Sequence, residues 1–304
     1  MPPRPQAAFL LRRFRNPTTA PRAVRCVAEH TSRSFSVSSS NHYSADSSTF
    51  TTVSPDEVSH FNALASSWWD PQGPSRILHL MNPLRHDFIR ECRSSVLDHP
   101  PPPSTGLKYL DIGCGGGIFA ESAARLHTTA SITAIDPSPE VLSVAKAHAK
   151  RDPALQSKLT YINTPIEQLP VPSTPQEGYD VVSIFEVIEH VSNPAQFLDR
   201  CTPFVKPGGW LVMSTIARTW MSWFTTNLVA EDLLRMVPKG THDWRKYINE
   251  EELRAHFLQK KLGWDEPRCM GVVYVPGLGW KEVNGSEKVG NYFFGIRRIV
   301  ESTK

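Results

Sequence analysis

The sequence lacks most features of disulfide-rich, zinc-binding and membrane-spanning proteins. Its five cysteines include no Cys-x-x-Cys pair, so neither a disulfide framework nor a structural zinc site is expected. No apolar run reaches the roughly 18 residues that a membrane-spanning helix needs. The Gly-Lys-Ser/Thr sequence of a P-loop is also absent, which excludes that type of phosphate site.

The first 45 residues contain no lysine and one acidic residue, Glu29, beside seven arginines. Such an Arg-rich, Ser-rich and acid-poor composition is typical of mitochondrial transit peptides. The segment carries a charge of +6 and the whole chain +3, which leaves −3 for the remainder. A nucleic-acid-binding surface is therefore not expected. We predict a transit peptide and linker over residues 1–54 and one globular domain over 55–304.

Strands and helices alternate along this domain. Helices are expected within 55–98, including one that starts at Asn82-Pro83, and the Pro-rich stretch after Asp98 ends them. Strands and helices then follow in turn, and Asn249 resembles the N-cap of a later helix. The pattern predicts an α/β fold with a doubly wound, mostly parallel sheet, and an amphipathic insertion at 217–245. Seven strands are expected, at 107–112, 131–136, 159–163, 179–185, 210–215, 272–275 and 292–296.

A glycine-rich turn follows the first strand. Asp111 precedes Gly113, Gly115, Gly116 and Gly117, and glycines at such a strand-to-helix turn let the backbone close on a small ligand. Asp136 ends the next strand, where a carboxylate can accept hydrogen bonds from both hydroxyls of a ribose. The sequence therefore predicts a nucleoside cofactor.

The spacing of the glycines identifies the cofactor. A dinucleotide-binding Gly-x-Gly-x-x-Gly motif would need a further glycine where Phe119 stands. Asp-x-Gly-x-Gly-x-Gly with a spaced acid is instead the S-adenosylmethionine pattern of class I methyltransferases, in which Asp111 orders the loop. An acid after the third strand often contacts the adenine in such enzymes. Glu167 is the acid nearest that position, but it also fits a helix start, so the adenine contact stays open.

Glu186, Glu189 and His190 follow the fourth strand. If a helix or turn starts there, positions i, i+3 and i+4 share one face. The carboxylates would suit Mg²⁺, which could hold both oxygens of a catechol and lower the pKa of one of them. Alternatively, His190 is a general base for a phenol proton. A third interpretation is that the stretch only opens a helix beside the cofactor.

Several longer stretches resemble the ubiquinone-biosynthesis O-methyltransferases of mitochondria. They are Phe61-Asn-Ala-Leu-Ala-Ser-Ser-Trp-Trp-Asp70, Leu80-Met-Asn-Pro-Leu-Arg85, Leu110-Asp-Ile-Gly-Cys-Gly-Gly-Gly-Ile118, Glu186-Val-Ile-Glu-His190 and Leu234-Arg-Met-Val-Pro-Lys-Gly-Thr-His-Asp243. The resemblance covers roughly residues 57–298. It implies methylation of catechol-type hydroxyls on two polyprenylated rings, 3,4-dihydroxy-5-polyprenylbenzoate and demethylubiquinol.

The resemblance also implies site residues. Arg85, Gly113, Asp136 and Phe185 would contact the cofactor, with Arg85 pairing with its carboxylate. Gly115 and Asp111 complete the predicted cofactor site, and Glu186, Glu189 and His190 correspond to the metal ligands of the family. Position 185 is expected to act through its backbone, and His242 is a second candidate base.

The implied substrate and location set the expected partners. A polyprenylated substrate implies peripheral association with the matrix face of the mitochondrial inner membrane, and other subunits of a coenzyme Q biosynthesis complex are expected partners. Two alternatives remain: another class I methyltransferase acting on carbon or on a soluble phenol, and a non-catalytic cofactor-binding scaffold in a biosynthetic complex.

The Trp-bearing stretch at 217–240 suits an interfacial anchor or a substrate lid, although an ordinary core helix fits equally well. If it is an anchor, deletion of residues 218–236 should release the protein from anionic liposomes in a flotation assay. Unchanged flotation would rule out the anchor.

Overall fold

One mixed β-sheet carries the fold in this computed structural model, which describes residues 51–96, 106–219, 246–260 and 263–300. The strands are β1 (Leu107–Ile112), β2 (Thr129–Asp136), β3 (Leu159–Asn163), β4 (Tyr179–Phe185), β5 (Val205–Ile216), β6 (Arg268–Val275), β7 (Gly279–Glu282) and β8 (Asn291–Arg297). Their spatial order is β3-β2-β1-β4-β5-β8-β6-β7. The first five are parallel, and β8, β6 and β7 continue the sheet in antiparallel pairs.

Helices connect the parallel strands and precede the sheet in sequence. They are α1 (Pro55–Leu64), α2 (Arg76–Ser94), α3 (Ile118–Ala124), α4 (Pro139–Ala149), α5 (Pro194–Cys201) and α6 (Glu250–Lys260). Ser138 and Asn193 cap α4 and α5 by accepting hydrogen bonds from backbone N–H groups, and a proline follows each cap. Within the described residues, no helix has the length and apolarity needed to cross a membrane.

The predicted α/β fold with a mostly parallel sheet is confirmed, but the sheet has eight strands where seven were expected. The additional strand, β7, lies at the edge and pairs only with β6. It escaped prediction because Trp280 is its only large apolar residue. The Trp280 indole donates a hydrogen bond to the carbonyl of Ile77, 2.9 Å away, and so ties this edge to α2.

Helix α2 also differs from the prediction. It begins at Arg76 rather than at Asn82, and Pro83 lies inside it. Tertiary packing outweighs the proline, because buried residues follow one side of the helix from its second turn to its end: Met81, Arg85, Phe88, Ile89 and Cys92. Phe88 stacks on Phe293 of β8 with ring centroids 5.4 Å apart. This contact places Arg85, about one turn earlier, against Phe185 at the end of β4.

The start of the predicted insertion is tied to the residues that immediately precede α6. Arg218 donates hydrogen bonds from its backbone N–H to Asn249 Oδ1 (2.8 Å) and from its guanidinium to the carbonyl of Tyr247 (2.9 Å). Ile248 N–H donates to the carbonyl of Ile216 (3.1 Å). Helix α6 begins after Asn249 as predicted, although the Asn249 amide oxygen is used by Arg218. Residues 220–245, and with them His242, lie outside the described residues.

Candidate active site

A cavity of about 230 Å³ lies at the carboxyl ends of β1, β2 and β4. Strands β1 and β4 are neighbours although they are distant in sequence, and such a switch in strand order is where open α/β sheets bind ligands. All of the predicted site residues that the structure describes line the cavity: Arg85, Asp111, Gly113, Gly115, Asp136, Phe185, Glu186, Glu189 and His190.

The end of β2 holds the glycine loop in place. Gly113 and Cys114 donate backbone hydrogen bonds to the carbonyl of Ile135 (2.9 and 3.0 Å). Gly115 donates to Asp136 Oδ2 (2.9 Å), and Ser138 donates to Asp136 Oδ1 (2.9 Å). Burial raises the pKa of Asp136 to about 6, against the lowering effect of these two bonds. Each carboxylate oxygen can accept a further bond, so Asp136 can support the loop and also bind hydroxyl groups.

Asp111 and Arg85 form the polar floor of the cavity. Asp111 Oδ1 accepts a hydrogen bond from Ser183 (2.7 Å), whereas buried Oδ2 has no partner among the described residues. Burial raises the pKa of Asp111 to about 7, although Ser183 and Arg85 act in the opposite direction.

Arg85 is only 4% exposed. Its guanidinium lies 5.0 Å from the ring centroid of Phe185, and its Nε has no partner among the described residues. Burial lowers its pKa, and the charges of Glu186 and Asp111 oppose that effect. Position 185 therefore contributes an aromatic face, where only a backbone contact was expected. Buried polar atoms without partners, set beside a glycine cradle, fit a ligand that carries a carboxylate and hydroxyl groups.

Glu186, Glu189 and His190 do not share a helix face. Glu186 has a left-handed φ of 57°, and only Ile188–His190 form a short 3₁₀ turn. Ser214 donates to Glu186 Oε1 (2.6 Å), and Thr215 donates to Glu189 Oε2 (2.9 Å). No group of three or more His, Cys, Asp or Glu side chains in the described part of the chain is arranged to hold a metal ion. As placed here, the three residues do not fit a shared Mg²⁺ ligand set.

His190 pairs instead with Glu57 of α1, a residue that the sequence analysis missed. The distance between His190 Nδ1 and Glu57 Oε2 is 2.9 Å, and Lys246 Nζ lies 2.7 Å from the other carboxylate oxygen. Burial acts to lower the pKa of His190, but the bond to Glu57 and the nearby carboxylates outweigh it, so the pKa is raised. Glu57 stands in the first turn of a helix after a proline, an ordinary place for an acid, so its sequence position gave no signal.

Residues between Thr52 and Leu78 form one wall of this cavity. Thr52, which was assigned to the linker, is buried, and its N–H donates to Glu167 Oε1 (2.7 Å). Glu167 therefore does not start a helix but binds this wall. The Ser138 hydroxyl donates a hydrogen bond to Asn62 Oδ1. The Trp69 indole donates to the carbonyl of Gly116 (2.9 Å).

Comparison with known proteins agrees with this geometry. Residues 84–264 match the model of a methyltransferase domain family. Two relatives are named ubiquinone biosynthesis O-methyltransferase, mitochondrial. The one from Candida albicans is 41% identical and aligns with 82% of this chain and 86% of its own length; the one from Schizosaccharomyces pombe is 45% identical and aligns with 81% and 87%.

Two solved structures show the same fold at low identity. A plantazolicin methyltransferase in complex with SAH is 19% identical, has a TM-score of 0.52, and the match covers 80% of this chain and 97% of that one. The magnesium protoporphyrin IX methyltransferase of Synechocystis PCC 6803 with bound SAM is 13% identical, with a TM-score of 0.51 and coverage of 82% and 100%.

The buried charge of Asp111 predicts a dependence of stability on pH. Its pKa rises from an ordinary 3.8 to about 7 on folding. The proton on Asp111 therefore stabilises the folded protein fully below about pH 4. This stabilisation decreases as the pH rises and is lost once the pH has passed through 7. Asp111→Asn removes this loss. The free energy of unfolding of the variant, relative to the native protein, should increase by on the order of 2 kcal/mol between pH 5 and pH 8.

Denaturant titration of the ligand-free proteins at the two pH values measures this difference. Asp87→Asn, at a half-exposed position of α2 where the carboxylate pairs with Arg90, is the matched control and should follow the native protein. If Asp111→Asn also follows it, the charge of Asp111 is not suppressed by burial.

Proposed function

Since the chain belongs to the family of ubiquinone biosynthesis O-methyltransferases, we propose that its substrates are 3,4-dihydroxy-5-polyprenylbenzoate and demethylubiquinol. The protein is an S-adenosylmethionine-dependent methyltransferase. The proposal rests on one observation: the imidazole of His190, paired with Glu57, lies in the same cavity as the glycine loop and Asp136. Such a cavity can hold a methyl donor beside an ionisable hydroxyl group.

The cofactor half of the cavity is assigned from its unsatisfied polar atoms. Arg85 would pair with the methionine carboxylate, since the Nε of its buried guanidinium has no partner among the described residues. Asp136 would accept hydrogen bonds from the ribose hydroxyls, while its bond to Gly115 keeps the loop folded around the ligand. When bound, S-adenosylmethionine supplies an electrophilic methyl group.

His190 is the proposed general base. Glu57 accepts the hydrogen bond of His190 Nδ1, which leaves Nε2 to take the proton of a substrate hydroxyl group. A carboxylate behind an imidazole fixes the ring tautomer and stabilises the imidazolium that forms. Proton removal makes the hydroxyl oxygen the nucleophile, and in-line placement by the cavity walls supplies the remaining advantage. His242 stays a second candidate for this role.

The family resemblance implies both Mg²⁺ and association with a membrane. The separate partners of Glu186, Glu189 and His190 give no shared ligand set, so no step of this mechanism uses Mg²⁺. The mitochondrial relatives support a mitochondrial location. Peripheral association with the matrix face of the inner membrane, and contact with other coenzyme Q biosynthesis subunits, would bring the enzyme to its polyprenylated substrate.

Methyl transfer from labelled S-adenosylmethionine to a short-tail demethylubiquinol tests the function. We expect label on the ring oxygen, identified by mass spectrometry, and the same on the dihydroxybenzoate substrate. Label on carbon, or transfer only to soluble catechols, would point to another class I methyltransferase. A protein that binds S-adenosylhomocysteine but transfers nothing would be a scaffold. Loss of activity with a chelator and recovery with Mg²⁺ would add the metal to the mechanism.

The Glu57–His190 pair predicts a change in the pH profile. Removing the carboxylate by Glu57→Gln lowers the pKa of His190, so the acid limb of kcat should move to lower pH. The plateau should fall about tenfold, because the imidazole is a weaker and less oriented base. Lys246→Met is the matched control, since it removes the other partner of Glu57 but keeps the imidazole pair. An unchanged acid limb in Glu57→Gln would contradict the assignment.

A further inference from the structure

The Trp68-Trp69 pair packs on the glycine loop, where Trp68 also lies against Gly115 and both indoles meet at Gly116. The Trp68 indole lies across the loop, and a Cβ added to Gly116 would lie 2.1 Å from its Cδ1 and 2.3 Å from its Cγ. Trp69 reaches the same residue from its carbonyl side, through the hydrogen bond of its indole to Gly116 O (2.9 Å). Both indoles of the cavity wall therefore contact the loop at Gly116.

Gly116 differs from the glycines around it in two respects. Gly113, Gly115 and Gly117 have positive φ angles, whereas Gly116 does not. Gly113 and Gly115 line the cavity, but Gly116 is not part of the lining. Neither backbone conformation nor close approach of the cofactor therefore explains a glycine at this position. The explanation is that Trp68 occupies the space that a side chain would need.

Other contacts hold the two indoles in place against the loop. Trp69 stacks on His148 of α4, with ring centroids 3.5 Å apart and planes at 6°. His148 Nδ1 lies 2.9 Å from a carboxylate oxygen of buried Glu121 on α3. Trp68 packs against Ile118 and Val141 while also lining the cavity. The two helices that flank the loop thus hold both indoles in place.

We propose that the contact between Trp68 and Gly116 holds the wall of residues 52–78 against the glycine loop. This contact keeps the wall closed over the bound cofactor. Trp68 forms part of the cofactor cavity, and Trp69 is a positioning residue that acts through the Gly116 carbonyl. The inference rests on the assignment of this cavity to S-adenosylmethionine. It predicts that the requirement for glycine at 116 comes from Trp68 and not from the cofactor.

A double-mutant cycle tests this origin. S-adenosylhomocysteine binding is measured by calorimetry for the native full-length chain and for Gly116→Ala, Trp68→Ala and the double variant. In the native background Gly116→Ala should weaken binding about tenfold, because the methyl group forces the indole away. In the Trp68→Ala background the same change should have an effect below about twofold. Equal losses in both backgrounds would overturn the proposal, since the glycine would then serve the cofactor directly.

A second comparison does not depend on the alanine variants. Trp69→Phe keeps an aromatic ring against His148 but removes the bond to Gly116 O, and should weaken S-adenosylhomocysteine binding about fivefold at a nearly unchanged Tm. Trp210→Phe is the control, because Trp210 is also buried, on β5, and outside the cavity. Equal affinity of Trp69→Phe and the native protein would contradict the positioning role. Failure of the native protein to bind the ligand would instead refute the cofactor assignment itself.

Discussion

The neighbouring position of β1 and β4 is the constraint on which the site depends. Because β2 and β3 lie on one side of β1, and β4 and β5 on the other, the loops after β1 and β4 turn to opposite sides of the sheet and leave a cleft between them. The glycine loop bounds that cleft on one side and the Glu186 turn on the other. The glycine loop, Asp136 and Glu186 reach the cavity because strands β1, β2 and β4 end there.

The cavity carries charges that the protein alone leaves poorly satisfied. Asp111 and Arg85 are buried, and each has a polar atom without a partner among the described residues. Such groups cost folding free energy, which a ligand of complementary charge offsets when it binds. The left-handed φ of Glu186 adds strain at the same place. A bound ligand is therefore expected to stabilise the protein at the place where these groups destabilise it.

The residues predicted for the cofactor site lie in one cavity because most of them follow directly from strand ends. Asp111, Gly113 and Asp136 follow from the order of apolar runs and glycines, and the structure brings them together. The partners of His190 and Glu167 could not be predicted, since Glu57 and Thr52 lie more than a hundred residues away in the chain. The predicted shared helix face of Glu186, Glu189 and His190 is not present, because the backbone at Glu186 is left-handed. Residue spacing does not reveal such a change of conformation. Edge strand β7 was missed because it has little apolar alternation.

The hydrogen bonds of Arg218 and its neighbours join the point where the chain leaves β5 to the point where it approaches α6. The chain leaves β5 and returns at α6 through bonds among Ile216, Arg218, Ile248 and Asn249. With both ends fixed to each other, a change in the length of the intervening segment costs only a small increment of loop entropy. A change in the length of that segment is therefore expected to leave the glycine loop and the turn at Glu186 undisturbed.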